Sequence, residues 1–207
     1  MSARTWLHCW RQLMCGCILL FSVTGLPAAE PEYSRLPEST THEQALSIRL
    51  QKLQGLLAQA SPYQRYILLD TAAKTAFELR QYDLAVAYAR ELIALAPGFP
   101  EDWNYAPAVH YANILLGRSA LLQADIESAK SYLLAASKVP YSEILDHRGA
   151  DLRLASALLA RGQRETVASY LVACTGFWPR GKDRLEHWLQ QLGEGKVPSL
   201  LTAEQIK

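Results

Sequence analysis

The chain has 207 residues and carries 21 lysines and arginines against 20 aspartates and glutamates, so its formal net charge is +1. Because the two signs are interspersed and nearly balanced, the charge pattern predicts neither a nucleic-acid partner nor an anionic membrane surface. Three of the four cysteines lie before residue 30. Cys174 is therefore alone in the rest of the chain, where we predict no disulfide and interpret it as a small buried hydrophobe.

Residues 1–29 have the composition of a secretory signal peptide. Arg4 and Arg11 give a basic start, an apolar stretch runs from Leu13 to Leu26, and small residues follow. This order predicts export to the periplasm or to the cell exterior. The alternative is that the segment stays uncleaved and anchors the protein in a membrane, although its apolar stretch is short of the roughly 20 residues that a spanning helix needs.

Two capping signals follow a leader over residues 30–40 that is rich in proline, glutamate and serine. Thr41 with Gln44 fits a capping box, so we predict that the first helix begins there. Ser61 with Gln64 fits a second box, and the intervening proline suits the first helical position. The leucines that predict one apolar face on the first helix are Leu46, Leu50, Leu53 and Leu57.

Three helix pairs and a closing helix are predicted next. Gly162 is assigned to the turn of the third pair, because glycine adopts left-handed backbone without steric cost. No strand pattern is present, so we predict an all-α fold with one helical domain over residues 41–193 and an extended tail over residues 194–207. The predicted helices span residues 41–60, 62–80, 83–96, 105–123, 126–138, 148–160, 164–175 and 182–192.

Small and apolar side chains recur at one offset of thirteen residues in the three pairs. Helices that pack 8–10 Å apart need small side chains where their backbones approach most closely. Since glycine inside a helix costs about 1 kcal/mol relative to alanine, we assign Gly117 to such a contact and expect Leu116 and Leu154 to be buried. The matched positions are Ala72 and Ala85, Leu116 and Ala129, and Leu154 and Val167.

These positions resemble the tetratricopeptide repeat (TPR) family, whose units are helix–turn–helix pairs that end near a proline. The resemblance covers residues 66–180 and implies an α-solenoid of about three hairpins, with an extra N-terminal helix and a C-terminal capping helix. The sequence departs from the family pattern in two ways. Leu69, Asn113 and Asp151 replace the usual tryptophan, and the spacers between the units are longer. The alternative is a plain antiparallel helical bundle. The matching residues are Leu69, Ala72, Ala73, Ala76, Tyr82, Ala85, Ala89, Leu92 and Pro97, then Leu116, Gly117, Ala120, Ala129, Leu133 and Ala136, then Leu154, Ala155, Leu158, Gly162, Leu171, Cys174 and Pro179.

The sequence contains no recognisable catalytic motif: the metalloprotease, nucleophile-elbow, phosphate-loop and dinucleotide signatures are all missing. No pair of histidines after residue 29 has the spacing of metal ligands on a helix. We therefore predict a non-enzymatic protein without a metal or cofactor. Asp146, His147 and Arg148 are charged but lie in a predicted spacer, so we interpret them as a solvated turn.

Aromatic and hydrogen-bonding side chains concentrate between residues 103 and 118. Because aromatic residues and arginine dominate interface energetics, one interpretation is a binding surface. The other is that Trp103 and Tyr105 pack the loop onto the helices while His110 and Asn113 bond to the backbone. The residues of this patch are Trp103, Asn104, Tyr105, His110, Tyr111, Asn113 and Arg118.

In the TPR family, partners lie in a concave groove lined by the first helix of each unit. Carried over by position, the resemblance implies a groove of mixed charge. It lacks the clustered lysines or arginines that would capture a carboxylate or a phosphate. The implied groove residues are Asp70, Lys74 and Glu78 from the first unit, Tyr111, Ile114 and Arg118 from the second, and Leu152 and Ser156 from the third.

The favoured function is an exported, non-catalytic scaffold that binds a protein or peptide through the groove and the aromatic patch. We expect Tyr111→Ala with Arg118→Ala to weaken partner capture without unfolding the protein. The first alternative is a hydrolase or modifying enzyme with His110 as acid or base, which requires His110 to line an open cavity. The second is a structural subunit of a cell-envelope assembly, with Trp188 and the tail at a fixed interface.

Overall fold

The computed structural model describes the backbone of residues 38–201 and the side chains of residues 41–201. Within that range the regular elements are helices and no residue is in a strand, which confirms the predicted all-α class. The α-helices are α1 (Glu38–Ala58), α2 (Pro62–Glu78), α3 (Tyr82–Leu95), α4 (Tyr105–Leu122), α5 (Ile126–Ala136), α6 (Glu143–Arg148), α7 (Arg153–Leu159), α8 (Arg164–Cys174) and α9 (Lys182–Gly193). Short 3-10 helices cover Ala96–Gly98 and Pro179–Gly181.

Local capping signals place some helix ends correctly and one incorrectly. The Ser61 hydroxyl accepts from the Gln64 N–H, and the Gln64 side chain accepts from the Ser61 N–H at 2.9 Å, which confirms the predicted capping box. Gly162 has a φ of +77° between α7 and α8, as its assignment requires. The start of α1 is wrong, because the helix begins at Glu38 and Thr41 lies inside it. Ser39 and Thr40, which are also of capping type, lie inside α1 as well, so a capping residue in the sequence does not by itself mark a helix start.

Consecutive helices pack against one another along the chain. Contacts join α1 to α2, α2 to α3, α3 to α4 and α4 to α5. Farther along, α5 contacts α7 and α8, and α8 contacts α9. The buried apolar side chains form two clusters, one between α1 and α4 and one from α4 to Leu200, and the half-buried Tyr132 packs against both.

The predicted close contact at Gly117 is confirmed. A Cβ atom at Gly117 would collide with the Leu154 side chain of α7, and it would lie 3.2 Å from Cβ of Tyr132 on α5. Leu116 and Leu154 are 4% and 0% exposed, as expected. Gly117 therefore allows α4 to approach α5 and α7 at one point.

The third helix pair departs from its predicted course. A single helix was expected over residues 148–160, but α6 and α7 are separate and residues 149–152 between them are not helical. Gly149 ends α6 with a φ of +83°, and a Cβ there would lie 2.8 Å from the Trp178 indole. The break therefore combines left-handed backbone with a close aromatic contact, and the helical periodicity of the sequence reveals neither.

The predicted solvated turn at Asp146 is also wrong. Asp146 lies in α6, is 7% exposed, and accepts hydrogen bonds from the backbone N–H of Arg180 at 2.7 Å and from its Nε at 3.1 Å. Its partner is 34 residues away in the sequence. The neighbouring residues in the sequence do not reveal that partner. Without it, three charged residues in a spacer are typical of a solvated turn.

At the carboxyl end, residues 194–201 form neither helix nor strand, and Leu200 is 1% exposed against the core. None of the helices over residues 38–201 is long and apolar enough to cross a membrane. The predicted signal peptide, the leader up to residue 37 and the last part of the tail, residues 202–207, lie outside the described residues.

Candidate functional site

A cleft of about 860 Å³ is lined by five parts of the chain. They are the first turns of α1, the end of α2 with Arg80 after it, the start of α3, the helix α4, and the segment that leads into α7. Its lining mixes aromatic, aliphatic and charged side chains. The wall residues that matter most below are Lys74, Phe77 and Glu78 from α2, and Tyr111, Ile114 and Arg118 from α4.

On the α2 side, Lys74 is held in place by two partners. Its Nζ lies 2.7 Å from a carboxylate oxygen of Asp70, one helical turn earlier. The same Nζ lies 3.9 Å from the centroid of the Tyr111 ring on α4. A cation over an aromatic face is attracted by the ring quadrupole, so this contact joins α2 to α4. The charge of Lys74 is already balanced by Asp70.

Arg118 on α4 is held differently. Its Cζ lies 4.4 Å from the centroid of the Phe77 ring on α2, and its side chain is half-buried. Its guanidinium forms no ion pair or hydrogen bond within residues 41–201, so its five donors are not used there. Burial lowers the pKa of Arg118, and the charge of nearby Arg153 lowers it further. Arg118 stays protonated at neutral pH, but its surroundings disfavour its charge.

Asp151 and Arg153 line the cleft beside α7. The Asp151 carboxylate accepts from the Arg153 backbone N–H at 3.0 Å and from its Nε at 2.9 Å. Burial raises the pKa of Asp151, but the hydrogen bonds and charge of Arg153 outweigh burial and hold that pKa below its usual range. Asp151 therefore remains a carboxylate, and its pairing fixes Arg153 at the edge of the cleft.

His110 lies behind the cleft and is fully buried. Its Nδ1 is 2.8 Å from the Ala136 carbonyl oxygen, and its Nε2 accepts from the Asp151 backbone N–H at 3.0 Å. Because Nε2 must accept, the proton of the neutral ring is on Nδ1. Burial lowers the pKa of His110, which favours this neutral form. His110 does not line the cleft, and both of its nitrogens bind backbone.

Several other predicted residues lie outside the cleft. Trp103 is 64% exposed on the loop before α4, and Tyr105 is half-buried against the cluster between α1 and α4. Asn113 donates to the Val109 carbonyl oxygen, one turn earlier on its own helix. The remaining placements are Ser156 half-buried on α7, Leu152 buried at 2% exposure, and Trp188 buried at 8% in the core.

The structure brings Lys74, Glu78, Tyr111, Ile114 and Arg118 to one cleft and adds residues that the sequence did not indicate. The main additions are the cations Arg80 and Arg153. The lining is of mixed charge, and Lys74 and Arg153 are each paired with a carboxylate. Arg80 and Arg153 were not named from the sequence, because Arg80 follows α2 with a φ of +59° and Arg153 follows the break after α6.

A second concave surface lies between α1 and α2. It has a volume of about 670 Å³ and is bordered mainly by apolar side chains, among them Leu56, Tyr63, Ile67 and Leu68. Leu56 and Tyr63 are 49% and 45% exposed. Charged side chains do not line this groove, so its chemistry differs from that of the cleft.

Metal and thiol chemistry find little support in the described part of the chain. Residues 41–201 contain no cluster of three histidine, cysteine or acidic side chains that could hold a metal ion. Cys174 is 0% exposed, and burial raises the pKa of its thiol to about 12. A thiol with so high a pKa is a poor nucleophile at neutral pH, which agrees with the interpretation of Cys174 as a buried hydrophobe. No family model, curated protein or solved structure matches this chain.

Proposed function

We propose that this protein is a non-catalytic scaffold that binds a protein or peptide segment in the cleft between α2 and α4. The observation that carries the proposal is the cleft itself, where aromatic rings and cations from separate helices face one space. Tyr111 and Arg118 are of the residue types that dominate interface energetics. The volume of about 860 Å³ lies within the range of about 300–1,000 Å³ that is typical of ligand pockets.

The wider setting of the cleft belongs to the same proposal. The successive contacts from α1 to α5 support a degenerate TPR-like solenoid, whose concave side would contain the cleft. The basic start and apolar stretch of residues 1–29 support export, so the partner would be met in the periplasm or outside the cell. An enzymatic function centred on His110 gains no support, because the ring does not line the cleft and both of its nitrogens are hydrogen-bonded to backbone groups.

The test is selection from a library of random displayed dodecapeptides against the protein from residue 30 onward. Selected peptides are synthesised and titrated, and the perturbed backbone amides are assigned by NMR. We expect the perturbations to concentrate on Phe77, Glu78, Tyr111, Ile114 and Arg118. Perturbations confined to the groove between α1 and α2, or a library without binders, would overturn the proposal.

A matched pair of variants controls for fold. Tyr111→Ala removes a half-buried side chain that lines the cleft, whereas Leu122→Ala removes a side chain that is 57% exposed on the same helix. We expect Tyr111→Ala to weaken peptide binding and Leu122→Ala to leave it unchanged. Thermal melts of both variants establish that each remains folded at the temperature of the titration.

A further inference from the structure

We propose that Arg118 binds a carboxylate of the peptide ligand, so that the cleft selects acidic segments. The inference rests on the proposed function and specifies its ligand. It begins from the distribution of ion pairs in the cleft. Lys74 is paired with Asp70, and Arg153 is paired with Asp151. Arg80 and Arg118 also line the cleft and have no ion pair among residues 41–201, but Arg80 is exposed to solvent whereas Arg118 is half-buried.

The electrostatic surroundings of Arg118 favour an added anion. Burial and the positive charge of Arg153 both disfavour the protonated guanidinium, and the carboxylates of Asp151 and Glu78 oppose this effect without cancelling it. A half-buried cation without a counterion has lost hydration that no partner has replaced. An incoming carboxylate would restore those hydrogen bonds and balance the charge.

The geometry favours a carboxylate over a more highly charged group. Cζ of Arg118 lies over the Phe77 ring, 4.4 Å from its centroid, and the guanidinium N–H donors are not used within residues 41–201. The planar fork of arginine matches the two oxygens of a carboxylate. The exposed carboxylates of Glu43 and Glu78 also line the cleft, and they would repel a dianion such as phosphate more strongly than a single negative charge.

The experiment is a double-mutant cycle between Arg118 and an acidic residue of a peptide selected as described above. The peptide is made with glutamate, with glutamine in its place, and with an amidated or a free carboxyl terminus. The four peptides are titrated against the wild-type protein, Arg118→Gln and Arg118→Lys. Arg90→Gln serves as the control, because Arg90 is an exposed arginine on α3 that does not line the cleft.

We expect the glutamate-to-glutamine change in the peptide to weaken wild-type binding by about ten- to a hundredfold. Arg118→Gln should bind the glutamate peptide as weakly as the wild-type protein binds the glutamine peptide. It should also no longer distinguish between the two peptides. Arg118→Lys should recover part of the discrimination, and Arg90→Gln should behave as wild type. If amidation of the peptide's carboxyl terminus abolishes discrimination instead, the carboxylate that Arg118 binds is the one at the end of the peptide chain.

Three results would overturn the inference. One is selection of cleft-binding peptides without acidic residues or a required free terminus, in which case the proposed function stands and its acidic specificity fails. Another is equal discrimination by wild type and Arg118→Gln. The third is binding that Arg118→Gln and Arg90→Gln weaken to the same extent, which would mean that only the net charge of the protein matters.

Discussion

The helices α2 to α5 and the stretch from α6 to Gly181 are built in different ways. The first region has helices of 17, 14, 18 and 11 residues whose contacts are made by alanine, glycine and leucine. The second begins with helices of six and seven residues joined by a non-helical segment. Isolated helices shorter than about 12–15 residues are marginal in water. The second region therefore depends on contacts from elsewhere in the chain.

Buried apolar side chains such as Leu145, Leu152 and Leu154 join the core cluster, and hydrogen bonds around two aspartates reach residues that are distant in the sequence. The Asp151 backbone N–H donates to His110, and its carbonyl oxygen accepts from the Tyr170 hydroxyl at 3.0 Å. The Asp146 carboxylate accepts from Arg180. The comparison teaches that periodic apolar packing can specify long helices locally, whereas a short irregular segment is specified by buried hydrogen bonds to distant residues. The cleft is lined mainly by the first region, and the second region adds Asp151 and Arg153.

The largest expected effect comes from breaking the contact between the two regions. Leu154→Ala removes a fully buried side chain of α7 that packs over Gly117 of α4. We expect a loss of about 2–5 kcal/mol in the free energy of unfolding, measured by urea denaturation. Leu122→Ala on α4, where the leucine is 57% exposed, should change it by less than about 0.5 kcal/mol. Equal losses would contradict the assignment.

The irregular segment is tested at its glycine. Gly149 has a φ of +83° and faces the Trp178 indole, so Gly149→Ala combines backbone strain with overpacking. We expect a cost of about 2–4 kcal/mol. Gly162 has a φ of +77° but open space around it, so Gly162→Ala should cost only about 1–2 kcal/mol. Thermal unfolding of the two variants measures the difference, which combines the Trp178 contact with the backbone strain at Gly149, where ψ is 168°.

The regular region is tested at Gly117, and the helical Gly55 of α1 is a comparison that should respond with the opposite sign. Gly117→Ala should destabilise by about 1–3 kcal/mol, because its methyl group meets Leu154. Gly55→Ala on α1 meets nothing within 4 Å and should stabilise by about 0.5–1 kcal/mol. The double variant Gly117→Ala with Leu154→Ala should lose less unfolding free energy than the sum of the two single losses, by about 0.5 kcal/mol or more. Strict additivity would place the methyl group away from Leu154.

The smallest expected effect is on the pH dependence of stability. Because burial lowers the pKa of His110, the unfolded chain binds a proton below about pH 6.5 that the folded protein does not bind. The contribution of His110 to the free energy of unfolding is therefore complete above that pH. It is lost as the pH falls, by up to about 1.4 kcal/mol per pH unit. Urea denaturation between pH 7 and 5 should show this slope, and His110→Gln should flatten it. An unchanged slope would mean that His110 does not titrate differently on folding.

The sequence predicts those features that depend on near neighbours. Ser61 and Gln64 are three residues apart, Gly162 needs only its own backbone angle, and Gly117 is an unusual residue inside a helix. The break after α6 and the position of Arg153 were missed because they depend on His110, Trp178 and Arg180, which are distant in the sequence. The cleft residues on α2 and α4 could be named from helical position. The cations outside those helices required the three-dimensional arrangement.

The most direct test of the binding proposal is to locate a bound peptide. A selected peptide that carries a benzophenone side chain is cross-linked to the protein by light, and the attachment sites are read by mass spectrometry. We predict attachment to the end of α2 and to α4, at half-buried residues such as Phe77 and Tyr111, and competition by the unlabelled peptide. Attachment confined to α8 and α9, or to the apolar groove beside Leu56 and Tyr63, would contradict the assignment of the cleft as the binding site.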